Sequence, residues 1–191
     1  NERERRWGES RALSRARSLV ETHRHAEAAS LCGELLRVKP DDAEALRLRA
    51  EASRCLGRYD QLVGDLDRLL HLKPNAAEAW VNRGNGRRIA SDFSGALRDA
   101  RQALRRAPRS ADARILESEA LRNLGHVQEA EGAASRAVEA RPAYGWGYVV
   151  RGKARRQGGD LEGALADFRR AARLNSRDAK ARGWEADALR K

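Results

Sequence analysis

All four prolines of the chain, Pro40, Pro74, Pro108 and Pro142, lie 34 residues apart, and Ser176 stands where a fifth would fall. A fixed period of this length restricts the chain to architectures in which one supersecondary unit is repeated and each copy buries its apolar face on its neighbours. Counted from Glu9, Ala43, Ala77, Ala111, Gly145 and Ala179, the eighth place holds Ala16, Ala50, Gly84, Ser118, Gly152 and Ala186, all of them small. A small side chain at one helical position lets a second helix approach closely. The twentieth place (Ala28, Leu62, Ala96, Ala130, Ala164) and the twenty-seventh (Leu35, Leu69, Ala103, Ala137, Ala171) supply matching apolar contacts.

Within each unit the apolar residues recur with a helical period, which breaks at His23, Gly57, Ser91, Gly125 and Gly159 and closes at the proline. Each unit therefore predicts a helix, a tight turn and a second helix. The expected organisation is a lead-in over 1–8, five repeats over 9–42, 43–76, 77–110, 111–144 and 145–178, and a segment 179–191 that either caps the last repeat or is a repeat cut short.

On these residues the chain resembles the tetratricopeptide repeat family, whose pattern has an aromatic at place 4, small residues at 8 and 20, an apolar at 24 and proline at 32. Trp80, Gly84, Ala96, Ala100 and Pro108 match it in the central unit, and Tyr148, Gly152, Ala164 and Phe168 in the fifth. The first unit departs most, with Ala12 at the aromatic place and Cys32 at place 24. The resemblance spans residues 9–191 and implies an all-α fold: a right-handed superhelical solenoid of antiparallel helix-turn-helix repeats, with the first helices lining a concave groove.

The net charge of +11 is uneven. The third and fifth units carry +5 and +4, and the acidic fourth between them −2. Part of this arginine is claimed by a recurring pair: Arg49 at place 7 with Asp65 at place 23, then Arg83 with Asp99 and Arg151 with Asp167. The planar guanidinium fork suits a half-buried bridge between the two helices of one repeat. These arginines are subtracted before positive charge is read as a ligand site.

Cys32 and Cys55 match no redox or zinc spacing and read as ordinary packed or half-exposed thiols, in keeping with a reducing, cytoplasmic compartment. His23 and His25 form a His-x-His pair without a further ligand at a metal-site spacing, so the reading is a solvated turn with no metal and no cofactor. No apolar run approaches the roughly 18 residues of a membrane span. The chain starts at Asn1 and has no methionine, so a piece of a longer protein is expected.

The family resemblance implies that asparagines at places 6 and 9 of a first helix hydrogen-bond the backbone of an extended peptide. Asn82 and Asn85 stand there in the third unit, and an amide offers both a donor and an acceptor. Glu119, Arg122 and Asn123 in the fourth unit, with Lys153, Arg156 and Gln157 in the fifth, would continue a polar groove, joined by the apolar Ile115, Leu116, Val149 and Val150. Trp146 and Trp184 would either anchor a ligand or pack between adjacent repeats. The dicarboxylate clamp of chaperone-binding relatives fits in neither frame: starting from the second unit, Glu51, Asp112 and Leu116 contradict it, and starting from the third, Val81, Leu116, Trp146 and Val150 do.

Nothing in the chain pairs a nucleophile with a base or forms a phosphate-binding glycine loop, so no enzyme is expected. The leading reading is a protein-interaction scaffold taking a peptide or partner segment, with an acidic one favoured by the groove cations. Two alternatives stand beside it. Arg98, Arg101 and Arg105 on one second helix, with Arg169, Arg170 and Arg173 on another, could bind RNA or an anionic surface, or repeat ends could drive self-association.

Overall fold

The computed structural model describes residues 2–174, so Trp184 and the 179–191 segment lie outside the described residues. Among these residues the chain is all α: α1 Glu2–Glu21, α2 His25–Val38, α3 Ala43–Cys55, α4 Tyr59–Leu72, α5 Ala77–Ile89, α6 Phe93–Arg106, α7 Ala111–Asn123, α8 Val127–Ala140, α9 Gly145–Gln157 and α10 Leu161–Leu174. None of them is long and apolar enough to cross a membrane. The helices fall into two compact units, one ending at Ser91 and holding α1 to α5, the other beginning at Asp92 and holding α6 to α10.

Local chemistry sets the helix ends. His23, Gly57, Ser91, Gly125 and Gly159, the five breaks in the apolar period, all have positive φ, from 59° to 90°. A residue in that region ends the helix, and the next amide turns back to a carbonyl five residues earlier, as in Arg24 to Leu19 (2.8 Å), Arg58 to Ser53 (2.9 Å), His126 to Leu121 (2.9 Å) and Asp160 to Arg155 (3.0 Å). Four helices, α3, α5, α7 and α9, start three residues after a proline. The Asp42 carboxylate caps α3 by accepting from Glu44 N (3.1 Å) and Ala45 N (3.0 Å), and Ser110 caps α7 by accepting from Ala113 N (3.2 Å).

In the first unit Leu46 of α3, Leu62, Leu66 and Leu69 of α4 and Ala79 of α5 form one core cluster, while Ala16, Ala28, Cys32 and Leu48 anchor a second between α1, α2 and α3. Fully burying one such leucine contributes about 1.5–3 kcal/mol. Cys32 is enclosed and its burial pushes the thiol up to about 11, with Arg49 pulling the other way, whereas Cys55 is exposed.

In the second unit Ala130, Ala133, Ala134 and Ala137 of α8 face α7 and α9, and the large ring of Phe168 of α10 packs with Val149 and Ala164. Alanine on both sides allows close helix approach. The α7 helix contacts α6, α8 and α9, and nine of its thirteen residues are buried.

Candidate functional site

The arginine–aspartate pairs neutralise part of the positive charge and so decide which cations remain. Arg49 Nε and Nη2 donate to the two carboxylate oxygens of Asp65 at 2.8 and 2.5 Å, and Arg151 does the same to Asp167 at 2.9 and 2.6 Å. Both aspartates are nearly inaccessible, and both arginines are held more strongly protonated by the carboxylate that accepts from them. In the fifth repeat the bridge is extended: Arg155 reaches Asp167 at 3.0 Å and Glu131 of α8 at 2.8 Å, tying three helices together. Arg83 is bonded within the first unit to Asp67 of α4 at 2.7 Å and lies 4.6 Å from the Trp80 ring.

In the first unit, α3 and α5 flank an open cavity of about 450 Å³ whose floor is Leu62, Leu66 and Leu69 of α4. Its α3 wall is a ladder one helical turn per step. Arg47 bonds Glu44 through Nε (3.0 Å) and Nη2 (2.9 Å) and Glu51 through Nη1 (3.3 Å), and Arg17 of α1 adds a 2.9 Å contact to Glu44. The Arg47 fork, helped by Arg17, holds the Glu44 carboxyl down at about 2. Asn82, from α5, lines the same cavity half-buried, with no hydrogen-bond partner among the described residues. Asn85 is also half-buried on α5.

The cavity walled by Arg47 and Glu51 is absent from the sequence-based expectations, in which Glu51 figures only as a residue that contradicts the clamp. The signal was present as Glu44, Arg47, Glu51 and Arg54 at helical spacing, in the repeat whose second helix carries the most leucines.

In the second unit Arg122 of α7 and Lys153, Arg156 and Gln157 of α9 line one open depression of about 390 Å³. Arg122 and Gln157 lock each other: Arg122 Nη1 donates to Gln157 Oε1, and Gln157 Nε2 donates to the Arg122 carbonyl, both at 3.3 Å. The Arg122 Nε is buried without a hydrogen-bond partner. Lys153 Nζ sits 5.0 Å from the centroid of the Trp146 ring. Its lining residues include three cations and no carboxylate.

Several other expected groove residues lie elsewhere. Ile115, Leu116, Val149 and Val150 are buried in the core rather than exposed in a groove, because α7 and α9 are packed on more than one side. Glu119 is buried too, at 7% exposure, and Asn123 is exposed but donates its amide to the Glu119 carbonyl at 2.7 Å. Trp146 packs half-buried against Ile115, Ala134, Ala137 and Val150, which is the inter-repeat arrangement. Arg98, Arg101 and Arg105 are exposed on α6, as are Arg169, Arg170 and Arg173 on α10.

Comparison with known proteins agrees with this architecture. The tetratricopeptide repeat model matches residues 13–77, 89–144 and 149–191, most of the chain. No curated protein sequence matches it. Among solved structures, MamA from Desulfovibrio magneticus RS-1 superposes with a TM-score of 0.78 at 21% identity, covering 90% of this chain and 97% of that one. TTC0263, a thermophilic TPR protein in Thermus thermophilus, does so at 0.76 and 21%, covering 95% and 98%. YrrB, a TPR protein with an unusual peptide-binding site, gives 0.72 at 16%, covering 93% and 91%. At these identities the likeness defines the fold alone. The chain belongs to the tetratricopeptide repeat family, whose members are generally non-enzymatic protein-interaction scaffolds.

Proposed function

We propose that this chain is a non-enzymatic adaptor that receives an acidic, extended segment of a partner protein on the first helices of its repeats. The observation that carries this reading is the convergence of Arg122, Lys153 and Arg156 on one open depression lined by no carboxylate. A partner's carboxylate would bond to an Arg122 guanidinium already oriented by Gln157, so little entropy of that side chain would remain to be lost. In the first unit Asn82 offers a half-buried amide beside an apolar floor, which suits a main-chain amide with a neighbouring aliphatic side chain. The peptide-binding site of YrrB, which shares the fold, supports a peptide as the ligand class.

Selection from a random peptide library tests this. The wild type should enrich Asp- and Glu-rich peptides, and the double variant Arg122→Ala/Arg156→Ala should lose that enrichment while keeping its helical content and Tm. Identical selections by both proteins would reject the site. Asn82→Ala should weaken the selected peptides without changing their charge preference.

A further inference from the structure

The second unit carries a row of positive charge that its own carboxylates leave uncompensated. Arg98, Arg101 and Arg105 stand at i, i+3 and i+7 on α6, all exposed, and none has an ion-pair partner among the described residues. That spacing places them on one helix face over roughly 10 Å. Arg109 follows in the turn after α6. There it lines an open depression of about 220 Å³ together with Arg114 of α7 and Arg136 of α8. Arg114 is half-buried and braced by Glu117 at 2.9 Å, whereas Arg109 and Arg136 have no carboxylate partner among the described residues. Glu139 is the one acid in the lining.

Like charges one turn apart weaken a helix. Their concentration on one face therefore points to a ligand that supplies the missing anions. We infer that the outer face of α6 and the adjoining Arg109–Arg114–Arg136 depression bind the phosphate backbone of single-stranded nucleic acid. Guanidinium forks match phosphate oxygens, and the depression has room for a phosphate group. No aromatic side chain lies along the row to stack bases, so recognition runs through phosphates without base selection. A bilayer fits less well: the exposed large apolar residues Val38, Leu72, Ile89, Leu124 and Leu161 lie on neither α6 nor the depression, which leaves no apolar anchor for insertion.

The test is fluorescence anisotropy of a labelled oligouridylate with the full chain. Over roughly 50 to 200 mM salt the log of affinity should fall linearly, with a slope of about −3 for four phosphate contacts. Arg101→Glu/Arg105→Glu should weaken binding about ten-fold or more and flatten that slope. Arg109→Gln/Arg136→Gln should act in the same direction, and Arg101→Gln/Arg105→Gln is the milder substitute if charge reversal perturbs folding. Oligocytidylate and the corresponding DNA should bind equally well, and Arg122→Ala/Arg156→Ala should bind like the wild type. Unchanged affinity and slope in the α6 variants would overturn the inference. So would loss of binding only in the Arg122/Arg156 variant, or arginine-dependent binding to phosphatidylserine vesicles without binding to the oligonucleotide.

Discussion

The Ser118 hydroxyl donates a 2.7 Å hydrogen bond to the Ala130 carbonyl, from place 8 of the fourth repeat to place 20 of the same repeat. Both residues are fully buried, so the two small places mark where α7 and α8 come close enough for a side-chain oxygen to meet a backbone. The Ala130 carbonyl keeps its helical partner when the hydroxyl is removed. Ser118→Ala should therefore cost only about 1 kcal/mol, whereas Ser118→Val adds bulk to a closed contact and should cost about 1–3 kcal/mol. Urea unfolding of the two variants checks the order; a Val variant as stable as the Ala variant would show the contact to be loose.

The fifth repeat makes the same approach without a side chain. A methyl group at Gly152 would stand 2.9 Å from Phe168 Cε1 and 3.2 Å from the Ala164 carbonyl. The ring can shift but the carbonyl is helix backbone. Gly152→Ala should lose about 1–3 kcal/mol through overpacking, more than the roughly 1 kcal/mol alanine gains in helix propensity. A thermal melt of Gly152→Ala checks this, and an unchanged Tm would show that the contact relaxes.

Two equivalent bridges should respond unequally to the loss of their arginine. Arg49→Ala leaves Asp65 buried without its cation, a situation that costs about 3–5 kcal/mol. Arg151→Ala leaves Asp167 with Arg155 at 3.0 Å and should cost clearly less. Thermal melts of the two variants, and of Arg151→Ala/Arg155→Ala, would show whether the second cation is what separates them.

His23 occupies a left-handed turn position, at φ 59°, that the second, fourth and fifth repeats fill with glycine. An L-residue with a β-carbon pays about 1 kcal/mol or more there. His23→Gly should raise Tm, and Gly57→Ala should lower it by a comparable amount. A neutral result for both would mean that the turns relax.

Glu44 gives the first unit an acid-sensitive contact. Its folded-state carboxyl lies at about 2 against an ordinary 4.5, chiefly through the hydrogen bonds from Arg47. A lowered value means that the folded state favours the carboxylate. The stabilisation is therefore full above the ordinary value and fades as pH falls toward 2. With the side chain 31% exposed, solvent screening keeps the amplitude modest. Stability of Glu44→Gln measured across that acid range should vary less with pH than the wild type; parallel curves would reject the ladder as a source of acid sensitivity.

Much of the fold was legible because it rests on local chemistry repeated at a fixed interval. The prolines mark where first helices begin, the breaks at His23, Gly57, Ser91, Gly125 and Gly159 are the positive-φ turns, and the small eighth places are the close contacts seen at Ser118 and Gly152. The pairs Arg49–Asp65 and Arg151–Asp167 were readable as well, since two places sixteen apart on antiparallel helices recur with opposite charge. Arg122, Lys153 and Arg156 were anticipated together and do share one depression.

Burial on more than one side was not legible. A single 3.6-residue period separates one buried face from one exposed face. The α7 helix is covered by α6, α8 and α9 at once, so Ile115, Leu116 and Glu119, which a one-sided helix would show to solvent, are enclosed. The cavity beside Asn82 was likewise invisible, because its floor comes from α4 and its walls from α3 and α5. The sequence by itself determined the repeat, its helices, its turns and the pairing of small with apolar places, all of which depend on residues close along the chain. Only the tertiary structure decided which polar side chains face open space, because that depends on how much of each first helix its neighbours cover.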